Sequence, residues 1–162
     1  MKPSYFTLKS NHYSSNDKYP DYLAPELLYE EIGYDYDTLY AQNHYYENTC
    51  AIRMSLALIK SGVSIHGRLK IKAGRHKGGM LEPGAKLLAD QLVHVFEKPV
   101  IIRNPSSLST EFKDIQGVIF LNKITGYGGG HIDLIESSSS GIQVCHSGCY
   151  STCLEAWFWP LS

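Results

Sequence analysis

Cys50 stands immediately before a run in which Ala51, Ile52, Met54, Leu56, Ala57, Leu58 and Ile59 are apolar. The run predicts a helix that Asn48 or Thr49 can cap and that Gly62 stops. Cys50 would then lie in the first turn, among unpaired backbone N–H groups and at the positive end of the helix dipole. Both favour a thiolate. The same N–H groups can receive the oxyanion of a tetrahedral intermediate, so one element would supply nucleophile and oxyanion hole together. By position alone, Cys50 reads more readily as a small buried hydrophobe.

The second group is His131. It follows Gly128-Gly129-Gly130 and opens the run His131-Ile132-Asp133-Leu134-Ile135. The glycines allow close backbone approach and leave the imidazole at the lip of a cleft. In a strand, His131, Asp133 and Ile135 share one face. A cysteine at a helix start and a later histidine on a sheet are the parts of a papain-type thiol hydrolase.

The elements that must hold these two groups follow from the period of the apolar residues. The helix after Asn48 is apolar almost all round, which predicts a buried central helix. A second helix is expected from Pro83 to Phe96, carrying Leu87, Leu88, Leu92, Val95 and Phe96. Beyond Pro99 the pattern shortens into runs rich in Val, Ile and aromatics, bounded by Gly, Ser and Pro: 100–103, 117–122, 131–135, 142–146 and 154–159. Ser137–Ser140 reads as a hairpin loop. Helices first and strands later predict an α+β fold, with an antiparallel sheet packed on the buried helix.

At 162 residues, 43% hydrophobic and with a net charge of -1, the chain fits one globular domain spanning 1–162. Nothing in the charge directs it to nucleic acid or to a membrane surface. No apolar stretch is long enough to span a bilayer, and Met1–Phe6 lacks the apolar middle of a secretory signal. Ten of the twelve tyrosines lie between Tyr5 and Tyr46, and residues 1–47 carry three lysines against eight acids. We read residues 1–41 as a tyrosine-rich arm packed on the domain, extended over Ser4–Tyr22, its rings half buried with their hydroxyls wet. A sugar-binding face is the functional alternative. The basic stretch from His66 to Lys77 is either a solvated face or a loop that steers an anionic substrate.

Cys145, Cys149 and Cys153 cluster in nine residues, which suits metal or redox work in a cytosolic protein and disulfides in an exported one. With His146 they offer four zinc-type ligands, but the spacing departs from that of a usual finger. A small zinc module and a non-enzymatic glycan-binding domain are the rival readings. No cofactor is expected for the hydrolase.

The stretch Asn48-Thr49-Cys50-Ala51-Ile52-Arg53-Met54-Ser55, with Gly130-His131-Ile132-Asp133-Leu134 downstream, resembles the fourth family of type VI secretion amidase effectors. Gly62 with Ile65, Asn104-Pro105, Gly117, the Cys145–Cys149 pair and the strand around Trp157 extend the likeness, from about Gln42 to the end. The resemblance implies a small papain-like amidase that is injected into the periplasm of a rival bacterium by the type VI apparatus. It implies cleavage of the γ-D-glutamyl–diaminopimelate bond of peptidoglycan stem peptides by Cys50 as nucleophile and His131 as general base and acid. It also implies a dedicated immunity protein that plugs the cleft, and a disulfide between Cys145 and Cys149. Injection would reconcile the absent signal with an oxidising place of action, leaving Cys153 unpaired and without an assigned role.

This sequence departs from the family at one point. Members carry an aspartate between the paired cysteines that orients the histidine, whereas here the interval is His146-Ser147-Gly148. Asp133 is the expected replacement, with His146 as a second candidate. Arg53 is expected to pair either with a stem-peptide carboxylate or with Glu47.

Overall fold

The computed structural model describes residues 2–105, 115–138, 140–150 and 152–162; position 139 of the serine tract lies outside them. In chain order the elements are helices α1 (Tyr5–Ser10), α2 (Pro25–Glu31) and α3 (Tyr36–Gln42), a 3-10 turn at His44–Glu47, and helix α4 (Cys50–Lys60). Strands β1 (Leu69–Lys70) and β2 (Met80–Leu81), helix α5 (Ala85–Val95) and strand β3 (Val100–Arg103) follow. The chain ends in β4 (Gln116–Ile124), β5 (His131–Ser137), β6 (Gln143–Cys145) and β7 (Cys153–Pro160).

Helix α4 begins at Cys50 and ends where Gly62, at φ 85°, turns the chain and lets Val63 N–H bond back to Leu58 O. Its all-round apolar character has two causes. One side, with Cys50, Ala51, Met54 and Leu58, packs with α5 on Val118, Phe120, Ile132, Leu134 and Trp159 of the sheet. The opposite side, Ile52 and Leu56, packs on Leu28, Tyr29, Ile32 and Leu39 and on the β1–β2 hairpin. The helix is a spacer between two apolar layers, so every residue from Cys50 to Leu58 is buried.

The expected antiparallel sheet is present, in the order β3-β7-β4-β5-β6. Register sets His131 opposite Leu121 and Asp133 opposite Ile119, next to central strand β4. Strand ends differ from the sequence expectation by up to two residues, and α5 begins at Ala85 rather than Pro83.

The amino-terminal arm is the main correction. Residues 5–10 form a helix, where the sequence was read as extended, and two more helices follow. Ser4 Oγ caps α1 through Thr7 N–H at 3.1 Å, Pro25 opens α2, and Asp35 Oδ2 caps α3 through Thr38 N–H at 3.0 Å. Tyr5 is fully inside, whereas Tyr13 and Tyr19 are half buried as expected. Farther on, the Tyr29 hydroxyl donates to Tyr46 O at 2.7 Å. The basic stretch is also more structured than a solvated face. Its Arg68 makes a two-pronged bond to buried Glu82, at 3.1 and 2.7 Å, and Lys72 lies over the Tyr34 ring. Gly67 is required there, because a Cβ would sit 2.1 Å from Leu81 O. No helix among the described residues is long and apolar enough to cross a membrane.

Candidate active site

The head of α4 and the start of β5 meet. Cys50 and His131 are both buried to within a tenth of their surface, and the Cys50 thiol lies close enough to the His131 ring to help raise its pKa. His131 Nε2 lies 3.0 Å from Asp133 Oδ2, so the ring's other nitrogen, Nδ1, is the one left for the thiol. Successive same-face residues of one strand therefore do meet here.

Asp133 is wholly enclosed. Its Oδ1 accepts Leu134 N–H at 2.8 Å, and its Oδ2 accepts Ser147 N–H at 2.8 Å and Gly148 N–H at 3.1 Å as well as the imidazole. A carboxylate with three backbone donors cannot rotate without breaking several bonds, so the acceptor aimed at His131 is fixed in direction. Burial opposes its charge, but the hydrogen bond and charge of His131, with His12 and Ser147 N–H, hold its carboxyl below the ordinary range. For His131, burial again opposes the charged form. The hydrogen bond to Asp133 and the Cys50 thiol beside the ring outweigh it and hold the imidazole well above its usual value.

The donors of Ser147 and Gly148 belong to the loop between Cys145 and Cys149, which are joined in a disulfide with Cα atoms 5.1 Å apart. Two thiolates of the zinc reading are thus bonded to each other. His146, the second candidate for orienting His131, sits elsewhere. Its Nδ1 is 2.6 Å from His12 Nδ1, and its Nε2 lies 2.5 Å from Asp21 Oδ2 without the alignment of a hydrogen bond.

Arg53 does neither of the things expected of it. It is 1% exposed, with Nε donating to Thr49 Oγ1 at 2.8 Å and Nη1 to Ser14 O at 3.0 Å. It ties the arm to α4. At the helix head Asn48 Oδ1 accepts Cys50 N–H over a long 3.3 Å, while Asn48 Nδ2 donates to the Tyr127 hydroxyl at 2.7 Å. Half-exposed Tyr150 sets its ring edge-to-face against His131 at 5.2 Å. Cys153 is a buried member of the second sheet cluster, with burial pushing its thiol up and Glu155 O 3.5 Å from its sulfur. Sequence spacing gave no sign of Tyr150, Ser14 or His12, since each reaches its partner from far along the chain.

Residues 46–159 match the model of a protein family described as "Type VI secretion system (T6SS), amidase effector protein 4". No curated protein sequence matches the chain. Among solved structures, the type VI effector Tae4 from Enterobacter cloacae superposes with a TM-score of 0.74 at 18% identity, covering 100% of this chain and 98% of that one. The Tae4–Tai4 effector–immunity complex from Salmonella Typhimurium gives 0.68 at 20% identity, covering 100% of both chains. The arm, outside the likeness read from the sequence, is inside the likeness of fold.

Proposed function

Because the chain belongs to the family of type VI secretion system amidase effector protein 4, we propose that Cys50 is its nucleophile, His131 its general base and acid, and Asp133 the residue that orients His131. As an amidase effector of this secretion system it is a hydrolase delivered to target bacteria. We place its action in the periplasm, on the γ-D-glutamyl–meso-diaminopimelate bond of peptidoglycan stem peptides. The observation that carries the reading is the continuous line from the thiol at the head of a buried helix, through one imidazole, to a carboxylate held by three backbone N–H groups.

His131 Nδ1 first takes the thiol proton, and the Cys50 thiolate of the resulting ion pair attacks the amide carbonyl. The carbonyl oxygen becomes an oxyanion facing the N–H groups of the first turn of α4. The Cys50 N–H, held only at 3.3 Å by Asn48 Oδ1, is the donor most easily turned to it. Collapse of the intermediate breaks the C–N bond, and His131 gives its proton to the departing diaminopimelate amine. Water, deprotonated by His131, then attacks the thioester and returns the thiol. Asp133 stays ionised throughout and stabilises the imidazolium that forms between the two transfers.

The Salmonella relative was solved with an immunity protein. By family membership we expect a cognate immunity protein for this chain too, covering the face that carries Cys50, His131 and Tyr150. The testing experiment is digestion of diaminopimelate-type sacculi by wild type and by Cys50→Ala, with fragments resolved by mass. New termini at γ-D-glutamate from wild type alone are expected. Equal digestion by Cys50→Ala would overturn the assignment of the nucleophile.

A further inference from the structure

The arm does more than cover α4. Between His12 and Ser15 it grips the disulfide loop at three points. His12 Nδ1 meets His146 Nδ1 at 2.6 Å, Ser14 Oγ donates to His146 O at 2.6 Å, and Ser147 Oγ accepts Ser15 N–H at 3.0 Å. The gripping segment is itself fixed. Ser14 O accepts from Arg53 and from Leu23 N–H, and Ser14 N–H donates to Asp21 O. On its far side the same loop presents Ser147 and Gly148 N–H to Asp133.

We propose that His12 is a positioning residue for the amide hydrolysis: paired with His146, it holds the disulfide loop at the height from which Ser147 and Gly148 fix Asp133, and through Asp133 the His131 ring. The proposal rests on the catalytic reading of Cys50 and His131. Two ring nitrogens at this distance need one proton between them, one ring donating and the other accepting. Burial supplies the condition, pushing His12 down to about 3 against the pull of Asp133, with His146, Arg53 and His131 also facing it. A neutral His12 can then hold the loop through a single short bond without setting a second cation beside the imidazolium of His131.

The disulfide alone does not do this. It closes the loop on itself; the sheet side holds the loop through His146 N–H on Leu134 O at 2.9 Å and through Asp133, and the arm holds the opposite side. An imidazole displaced by a fraction of an ångström is costly in a reaction that needs aligned proton transfer. Loss of the grip should therefore lower kcat and leave the encounter with substrate untouched.

The test compares full-length His12→Phe, His12→Asn and Cys50→Ala on a soluble stem-peptide substrate, with kcat, KM and the NMR titration of His131 as readouts. His12→Phe keeps the ring volume but removes the nitrogen. It should lower kcat about 10- to 100-fold at nearly constant KM and shift the His131 titration toward its ordinary value. His12→Asn presents a polar atom near the place of Nδ1 and should restore most of both. If folded His12→Phe keeps wild-type kcat and His131 titration, the proposal is overturned. Equal losses in both variants with an unmoved titration would also overturn it, showing a purely structural role. Should His12→Phe not fold, Ser14→Ala loosens the same loop and is expected to cost about 5-fold in kcat with the same direction of shift. No change there overturns the proposal as well. Full activity in Cys50→Ala would instead remove the catalytic reading beneath it, an outcome distinct from the others.

Discussion

Two histidines lie near the same carboxylate and answer it in opposite ways. His131 and His12 are both buried, and both feel Asp133. His131 has the carboxylate oxygen 3.0 Å from Nε2 and a thiol on its other side, and is held well above its ordinary value. His12 has a second imidazole as its closest partner and is pushed down to about 3. Burial works against charge in both, so burial is not what separates them. The hydrogen-bond partner decides, and it holds one imidazole toward its charged form and the other toward its neutral form within the same enclosed network.

The largest expected break in that comparison is Asp133→Asn. The single amide oxygen can keep the loop donors, its NH2 then facing Leu134 N–H, so one backbone bond is lost and His131 no longer has a charged acceptor. We expect kcat to fall about 10³-fold with little change in KM, and His131 to titrate near its ordinary value. Steady-state kinetics with a His131 NMR titration measures both. A loss of less than about 10-fold would show that backbone geometry, and not the carboxylate, orients the ring.

The pH dependence of stability separates the two histidines next. His12 has a depressed folded value, so between about pH 3 and 6.5 the unfolded chain binds more protons than the folded one. Its contribution is present above pH 6.5 and is lost as pH falls through that window, by of order 5 kcal/mol in all. His131 has a raised folded value, so its contribution is complete below pH 6.5 and is lost as pH rises through that folded value. Asp133 adds to the acid limb only, since its lowered carboxyl loses its contribution as pH falls through the folded value. Together these groups set a maximum near pH 6.5. Denaturant unfolding from pH 4 to 9 should show it, with His12→Asn flattening the acid limb and His131→Asn the alkaline one. A single variant that flattened both would mean the two rings titrate as one unit.

How much of this was legible in the sequence divides along the same line. Cys50, His131 and Asp133 were readable because local periodicity places them: a helix start, a strand start, and the next position on one face. Helix α4 was readable because two apolar layers demand apolar residues on all its sides. The arm was misread because α1, α2 and α3 are six or seven residues long, too short to show a period. Their capping pairs, Ser4 with Thr7 and Asp35 with Thr38, and Pro25 at the head of α2 were the local signals. The pairing of His12 with His146 spans 134 positions and has no local trace at all. The same holds for Arg53, whose guanidinium reads as a surface charge until the fold sets Ser14 O against it.

The disulfide loop lies between the two histidines, and opening it should have a smaller effect than removing the carboxylate. Cys145→Ser with Cys149→Ser is expected to cost about 2 kcal/mol for so small a ring, read from the denaturant midpoint. Ser14 and His12 still hold the loop from the arm side. Activity should therefore fall by about 10-fold rather than vanish, and adding His12→Phe to the pair should lower it far more than the product of the separate effects. Simple multiplication of the two losses would show that arm and disulfide hold different parts of the loop.

The smallest effect belongs to the remaining buried thiol, and it puts the comparison in a second residue type. Cys50 and Cys153 are both 7% exposed. Cys50 meets an imidazole at a helix head, whereas Cys153 sits opposite Ile124 in the sheet, its sulfur near a carbonyl oxygen and its thiol pushed up by burial. A partner that takes a proton makes a thiol a nucleophile, and a carbonyl does not. Cys153→Ala should therefore leave kcat and KM unchanged and cost about 1 kcal/mol of stability for the lost sulfur. Iodoacetamide on native protein should label Cys50 and spare Cys153, with peptide mapping by mass to distinguish them. Faster labelling of Cys153 would mean that access, rather than the hydrogen-bond partner, governs thiol reactivity in this fold, and would weaken the same argument for the two histidines.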